Sequence, residues 1–233
     1  SAPLVPGMVA RIGTALDEKM PDFVETMNSG EGSYSDWPEV NNALDLFDMM
    51  CKEYTIDKPM DSDYSNKIAQ FAQGNAAMYV NGSWTVMDVM AINPDLRFGV
   101  FAFPLSEDPA DCKMTWEAEF CQASPANVRN PDAIRAFYDY LVEQDGGLYN
   151  VAELQGRIPA IDYPMPSEKL SDTFEDGMAI VNAGKTVPWL LYQMPFGTED
   201  ADWPVVQDYV NGKMTREELL SKLDYEWISR NDF

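Results

Sequence analysis

The sequence predicts an α/β fold: a small mixed sheet flanked by helices. Three observations carry this. Amphipathic helical segments recur along the 233 residues, short apolar runs of strand character stand isolated between them, and Gly, Pro and Asn-Pro breaks separate the two kinds of segment. With 45% hydrophobic residues, the chain can bury the core of one domain or of two small ones.

Met8, Ile12, Ala15 and Leu16 lie at helical spacing and predict a helix over 6–20. Pro38 opens a clearer helix, with Val40, Leu44, Phe47 and Cys51 on one face. A helix over about 63–73 ends at Gly74. Strands are expected at 76–81 and 97–103, with a short helix between them that Asn93-Pro94 stops. Glu117–Ala123 is a third candidate strand. Asn130-Pro131-Asp132 caps an amphipathic helix expected to turn Ile134, Phe137 and Leu141 inward and to end at Gly146-Gly147. Beyond a proline-rich passage (Pro159, Pro164, Pro166), helices are expected near 173–183 and 202–211. The last helix opens on a capping box, Thr215 with Glu218, and runs through Leu219, Leu220, Leu223 and Trp227. There is no internal repeat and no low-complexity linker.

Net charge −23 and a pI near 4.1 argue against nucleic acid, whose phosphates need clustered Lys and Arg, and against anionic membrane surfaces. An acidic surface chiefly keeps a protein soluble. No run approaches the ~20 apolar residues of a spanning helix. Ser1-Ala2-Pro3-Leu4-Val5-Pro6 has no signal-peptide pattern, which leaves room for a longer secreted precursor. The chain has no histidine, which removes the commonest general base and the commonest metal ligand together. Cys51, Cys112 and Cys121 show no CxxC spacing; they read as buried free thiols, or as a Cys112–Cys121 pair if those two flank adjacent strands. Asp61, Asp63 and Ser65 open like a calcium loop, but Asn66 and Ala72 occupy the positions that need Gly and Glu, so no metal site is expected. Asn81-Gly82-Ser83 satisfies a glycosylation sequon and carries little weight inside a tight turn.

The most informative stretch is Gly74-Asn75-Ala76-Ala77-Met78-Tyr79-Val80-Asn81-Gly82-Ser83-Trp84. It reads as a helix-capping glycine, a short apolar strand, a glycine turn, and a tryptophan delivered just past the strand end. With Phe71 ahead and Phe98-Gly99-Val100 behind, the block resembles the "F..G.AAM...G.W" pattern of carbohydrate-type bacterial solute-binding proteins, the maltose-binding-protein-like receptors of ABC importers. Phe120–Leu141 resembles that family's strand, turn and helix; Gln155-Gly156-Arg157-Ile158-Pro159-Ala160 is similar to its hinge return; and Asn211-Gly212-Lys213-Met214-Thr215 to its closing helices. The likeness runs from about Trp37 to Trp227, and nothing in the chain corresponds to the family's N-terminal lobe.

The resemblance implies a type II periplasmic-binding-protein-like C-terminal lobe over 1–115 and 161–233, with 116–160 completing a largely missing N-terminal lobe. It implies a non-enzymatic receptor that takes a mono- or oligosaccharide, closes its lobes on it and delivers it to a permease. Location would be extracellular or periplasmic, anchored as a lipoprotein in the full precursor, and no cofactor is implied. In the family the tryptophan at the position of Trp84 is a platform for a sugar ring; core packing is the competing reading for this residue. Trp116, placed by the family likeness beside the cleft, carries the same two readings. Glu117 could accept from sugar hydroxyls or stand as a solvated strand-end carboxylate. Ser83 adjoins the platform, and Gln155 and Arg157 on the hinge return reach either the cleft or the surface. Trp37 before Pro38 reads as a hydrophobic staple. Without its sheet neighbours, the 117–124 strand is expected to pack on another copy of the chain or to be poorly ordered. Two other functions remain open: a glycoside hydrolase built on carboxylate pairs, and a protein-interaction module on the same fold.

Overall fold

The computed structural model describes residues 4–55, 63–117, 123–157 and 171–231. Helix α1 (Leu4–Leu16) places Val5, Met8, Val9, Ile12 and Leu16 on one face, all buried. A single 3₁₀ turn leads into α2 (Met20–Asn28), which carries Pro21 in its first turn, where the missing N–H is harmless. Helix α3 (Pro38–Asp48) buries Val40, Ala43, Leu44, Leu46 and Phe47, then widens into a last turn over Met49–Glu53. Helix α4 (Tyr64–Ala72) ends at Gly74, whose φ of +78° suits glycine. There the Gly74 N–H donates to Phe71 O and the Asn75 N–H to Gln70 O, the paired bonds of a Schellman close. Then come α5 (Val86–Ile92), β1 (Met114–Thr115), α6 (Pro131–Val142), α7 (Ser171–Asn182), β2 (Thr186–Val187), α8 (Thr198–Val210) and α9 (Arg216–Ile228).

The chain divides into two compact units. The first takes Ser1–Lys67, Phe101–Glu117 and Ile180–Phe233; the second takes Ile68–Val100 and Ala118–Ala179.

In the first unit, α1 packs on α3 and α8, and α8 on α9. Four aromatic side chains from distant parts of the sequence meet edge to face: Phe23 lies 5.2 Å from Tyr34, 5.5 Å from Trp37 and 5.7 Å from Trp227. Trp227 is wholly buried and donates its indole N–H to Asn28 Oδ1 at 2.9 Å. Asp224 on the same helix holds the 33–36 turn, accepting from Ser33 Oγ at 2.6 Å and the Tyr34 N–H at 2.8 Å. Asp48 gathers Tyr209 Oη (2.6 Å), Arg216 (2.7 Å) and Lys52 (3.0 Å), tying α3 to α8 and α9. Burial alone would raise the Asp48 carboxyl, but these donors hold it below the usual range. Arg11 is buried between Phe103 (4.9 Å) and Phe47 (5.6 Å), and burial lowers its guanidinium to about 10.

The second unit has a smaller core, Val86 and Met90 with Met87 and Phe98 against them. Phe71 joins it to the preceding helix, edge-on to Phe98 at 5.5 Å and stacked on Tyr79 at 5.8 Å.

Most helices expected from the sequence form, with both predicted caps: Asn130 accepts from the Ala133 N–H, and Thr215 and Glu218 cap each other. The sheet does not match. Among the described residues the structure is mostly helical, and its one sheet is a parallel pair, Met114 opposite Thr186 and Thr115 opposite Val187. Residues 76–81 and 97–103 take part in no ladder among the described residues, so neither forms the expected strand. The expected strand over 117–123, and self-association through 117–124, fall largely on 118–122, outside the described residues. Helix α6 also departs from expectation: none of its residues is buried, and Phe137 is 48% exposed rather than inward. Cys51 and Cys112 are free, half-buried thiols; Cys121 lies outside the described residues.

Candidate functional site

In the second unit, the tight turn after Tyr79 is built by Asn81, which accepts from the Gly82 N–H at 2.9 Å and donates to Tyr79 Oη. The Thr85 N–H and hydroxyl both return to Gly82 O, at 3.2 and 2.9 Å, and close a 3₁₀ turn over Ser83–Thr85 that runs into α5. The Trp84 ring folds back over Gly82: a Cβ on that glycine would lie 1.9–2.3 Å from three ring carbons. Only glycine permits this approach, which is the physical reason for a Gly two residues before the ring. Trp84 is half-buried, and Ser83 beside it is exposed.

The return segment reaches the same helix. Gly156, at φ +64°, sits where a Cβ would come within 3.1 Å of Met87 Cγ and 3.7 Å of Val86 Cβ. The Arg157 N–H donates to Val151 O at 2.9 Å and the Gln155 N–H to Asn150 O at 3.1 Å. Gln155 is exposed and Arg157 half-buried. Gly156, between Gln155 and Arg157, thus lies against the start of α5, the helix that Ser83 and Trp84 precede, within one unit.

Trp116 and Glu117 lie in the other unit, just beyond β1. The Trp116 N–H extends the ladder to Val187 O at 2.9 Å, and the residue is 37% exposed. Glu117 has a partner that the sequence does not announce: its Oε2 accepts from the Trp189 N–H at 2.8 Å. Trp189 in turn lies edge to face with Tyr192, ring centres 5.3 Å apart. Sequence reasoning missed both aromatics. The available signal was a β-branched pair, Thr186-Val187, followed by Pro188 and an aromatic, the same strand-end delivery that marks Trp84.

Among the described residues no cluster of acidic or cysteine side chains has the makings of a metal site, and no helix is long and apolar enough to cross a membrane. No curated protein matches the chain. Among solved structures, a chitin oligosaccharide binding protein superposes with a TM-score of 0.63 at 16% sequence identity, over 97% of this chain. This chain spans 57% of that one. Residues 13–179, well over half of the sequence, match the family described as bacterial extracellular solute-binding protein. With that match over well more than half of its length, the chain belongs to the bacterial extracellular solute-binding protein family.

Proposed function

We propose that this chain is the ligand-binding part of a non-enzymatic extracellular or periplasmic receptor for a neutral mono- or oligosaccharide, which hands its ligand to an ABC permease. The observation that carries the reading is Trp84: a large, half-buried ring folded back over a glycine turn at the start of α5. Such a ring offers an apolar face to the CH face of a pyranose, while Ser83, Gln155 and Arg157 nearby supply hydrogen-bonding groups for its hydroxyls. The family match and the oligosaccharide-binding neighbour support the ligand class, and make chitin oligosaccharides the first to test. We propose further that 116–160 belongs to a lobe completed by sequence outside this chain. The 57% span and a helix α6 with no buried residue support that. Lipid anchoring of the full protein is part of the same proposal.

The test is a tryptophan-fluorescence titration of the chain and its Trp84→Ala variant with a panel of mono- and oligosaccharides, with released reducing ends assayed in parallel. Saturable change lost in the variant, with sugar recovered intact, is expected. Appearance of new reducing ends would replace the receptor with a hydrolase, and no response to any sugar would favour a protein-interaction role.

A further inference from the structure

We propose that Asn81 is a positioning residue for Trp84: by bridging Gly82 to Tyr79 it fixes where the ring lies, and through the ring it sets the affinity for a saccharide. The proposal rests on the carbohydrate-receptor reading above and deepens it, since Asn81 acts on that same site through another residue.

The Trp84 ring lies so close over Gly82 that its pose follows the backbone of that glycine. Gly82 stands at φ −99° and ψ 172°, extended backbone that a glycine leaves for positive φ at little cost, so its own preferences do not seat the ring. Its neighbours do. On one side the Thr85 N–H and hydroxyl both donate to Gly82 O, and Thr85 is buried. On the other, Asn81 Oδ1 accepts from the Gly82 N–H at 2.9 Å while Asn81 Nδ2 donates to Tyr79 Oη. Tyr79 is itself anchored. It stacks on Phe71 at 5.8 Å, Phe71 meets Phe98 edge to face at 5.5 Å, and Phe98 packs against Val86 and Met90 in the core of the unit. One amide therefore ties a flexible turn to a packed aromatic column. The amide group suits the task because it accepts and donates at once. Thr85 pins only the carbonyl side of Gly82. Without Asn81 the N–H side is released and the ring populates other positions. Only the molecules with the ring in its seat then bind, so the apparent affinity falls in proportion to their share.

The experiment labels the six tryptophans with 5-fluorotryptophan, assigns their ¹⁹F resonances by single Trp→Phe variants, and compares variants first without sugar and then in titrations with chitin tetrasaccharide. In the sugar-free chain, Asn81→Ala is expected to shift and broaden the Trp84 resonance while that of the wholly buried Trp227 stays still. Loss of both hydrogen bonds is expected to weaken sugar binding about tenfold, and Tyr79→Phe, which removes one, about threefold. Asn81→Asp is expected to rescue: its carboxylate accepts from the Gly82 N–H and from the Tyr79 hydroxyl, so the resonance is kept and affinity stays within about twofold. If Asn81→Ala unfolds, Asn81→Asp and Tyr79→Phe decide the matter by the same two readouts. A Trp84 resonance unmoved in Asn81→Ala would overturn the proposal, and weaker binding with that resonance unmoved would make Asn81 a direct ligand contact instead. Failure of Asn81→Asp to restore the resonance would overturn it as well. A shifted resonance in sugar-free Asn81→Ala, together with an unmodified chain silent to every sugar, would overturn the receptor reading and the claim on affinity while separating both from the ring's placement.

Discussion

Asp202 on α8 is buried to 1% exposure, and neither of its carboxylate oxygens has a hydrogen-bond partner among the described residues. Burial, with Glu226 and Glu199 nearby and only partly offset by Arg230, pushes its carboxyl up from 3.8 to about 8. Tyr34, also buried, is raised in the same way, by burial first and then by Asp202 and Asp224. At neutral pH Asp202 is protonated in the fold and ionised in the unfolded chain, so folding takes up a proton. Its unfavourable contribution is absent below pH 3.8, grows as pH rises towards about 8, and is constant above that. Each pH unit in that window contributes about 1.4 kcal/mol, or about 4 kcal/mol by pH 7. Asp202→Asn removes the ionisation and keeps the shape, but its buried amide lacks partners too, which costs ~1–3 kcal/mol. The neutral acid already bears part of that cost, so a net gain of about 2–4 kcal/mol at pH 7 is expected. Urea unfolding followed by tryptophan fluorescence at pH 5, 6, 7 and 8 measures it. The variant's advantage should widen with pH at close to one proton per molecule. Parallel pH profiles for the two proteins would refute the reasoning, because every other carboxylate is common to both.

Trp227→Ala is expected to cost ~3–5 kcal/mol of stability, whereas Trp84→Ala costs about 1–2 kcal/mol and instead weakens sugar binding by ~1–3 kcal/mol. Paired unfolding and binding titrations separate core from platform. Gly82→Ala should displace the Trp84 ring and match Trp84→Ala in binding, checked by an altered Trp84 ¹⁹F resonance; an unmoved resonance contradicts the close approach. Asp48→Asn, which weakens the charge-assisted bonds from Lys52, Arg216 and Tyr209, should cost about 2–3 kcal/mol at pH 7. Because the Asp48 carboxyl is held low, that difference is present above the ordinary carboxylate value and is lost as pH falls through the lowered one.

What was legible in the sequence was local. Asn130, Thr215 with Glu218, Pro38 and Gly74 each act within one helical turn, and each marks a helix end in the structure. The Trp84 turn was legible for the same reason, since its glycine, asparagine and ring are neighbours in the chain. The sheet was not. An apolar run such as 76–81 states that a segment can be extended, but pairing requires a partner elsewhere in the chain, and only 114–115 with 186–187 found one among the described residues. Amphipathic spacing in α6 likewise names a face without naming what covers it. Helix α2 was missed because its apolar positions, Met20, Phe23 and Met27, are few and lie between Pro21 and acidic residues. Phe23 packs against Tyr34, Trp37 and Trp227, the last about two hundred residues away. The Trp189–Tyr192 pair stayed hidden because Glu117, the residue that fastens it, is seventy-two positions distant.

The central claim, that this chain is a sugar receptor, is tested most directly by saturation-transfer-difference NMR of chitin tetrasaccharide mixed with the unlabelled chain. Transfer is expected to be strongest at ring CH protons, as stacking on an aromatic face requires, with the sugar chemically unchanged after a day. It is expected to fall sharply when Trp84 is replaced by alanine in a chain that still unfolds cooperatively. Absence of transfer for this and every other neutral oligosaccharide tried, or equal transfer to the substituted chain, would contradict the receptor reading.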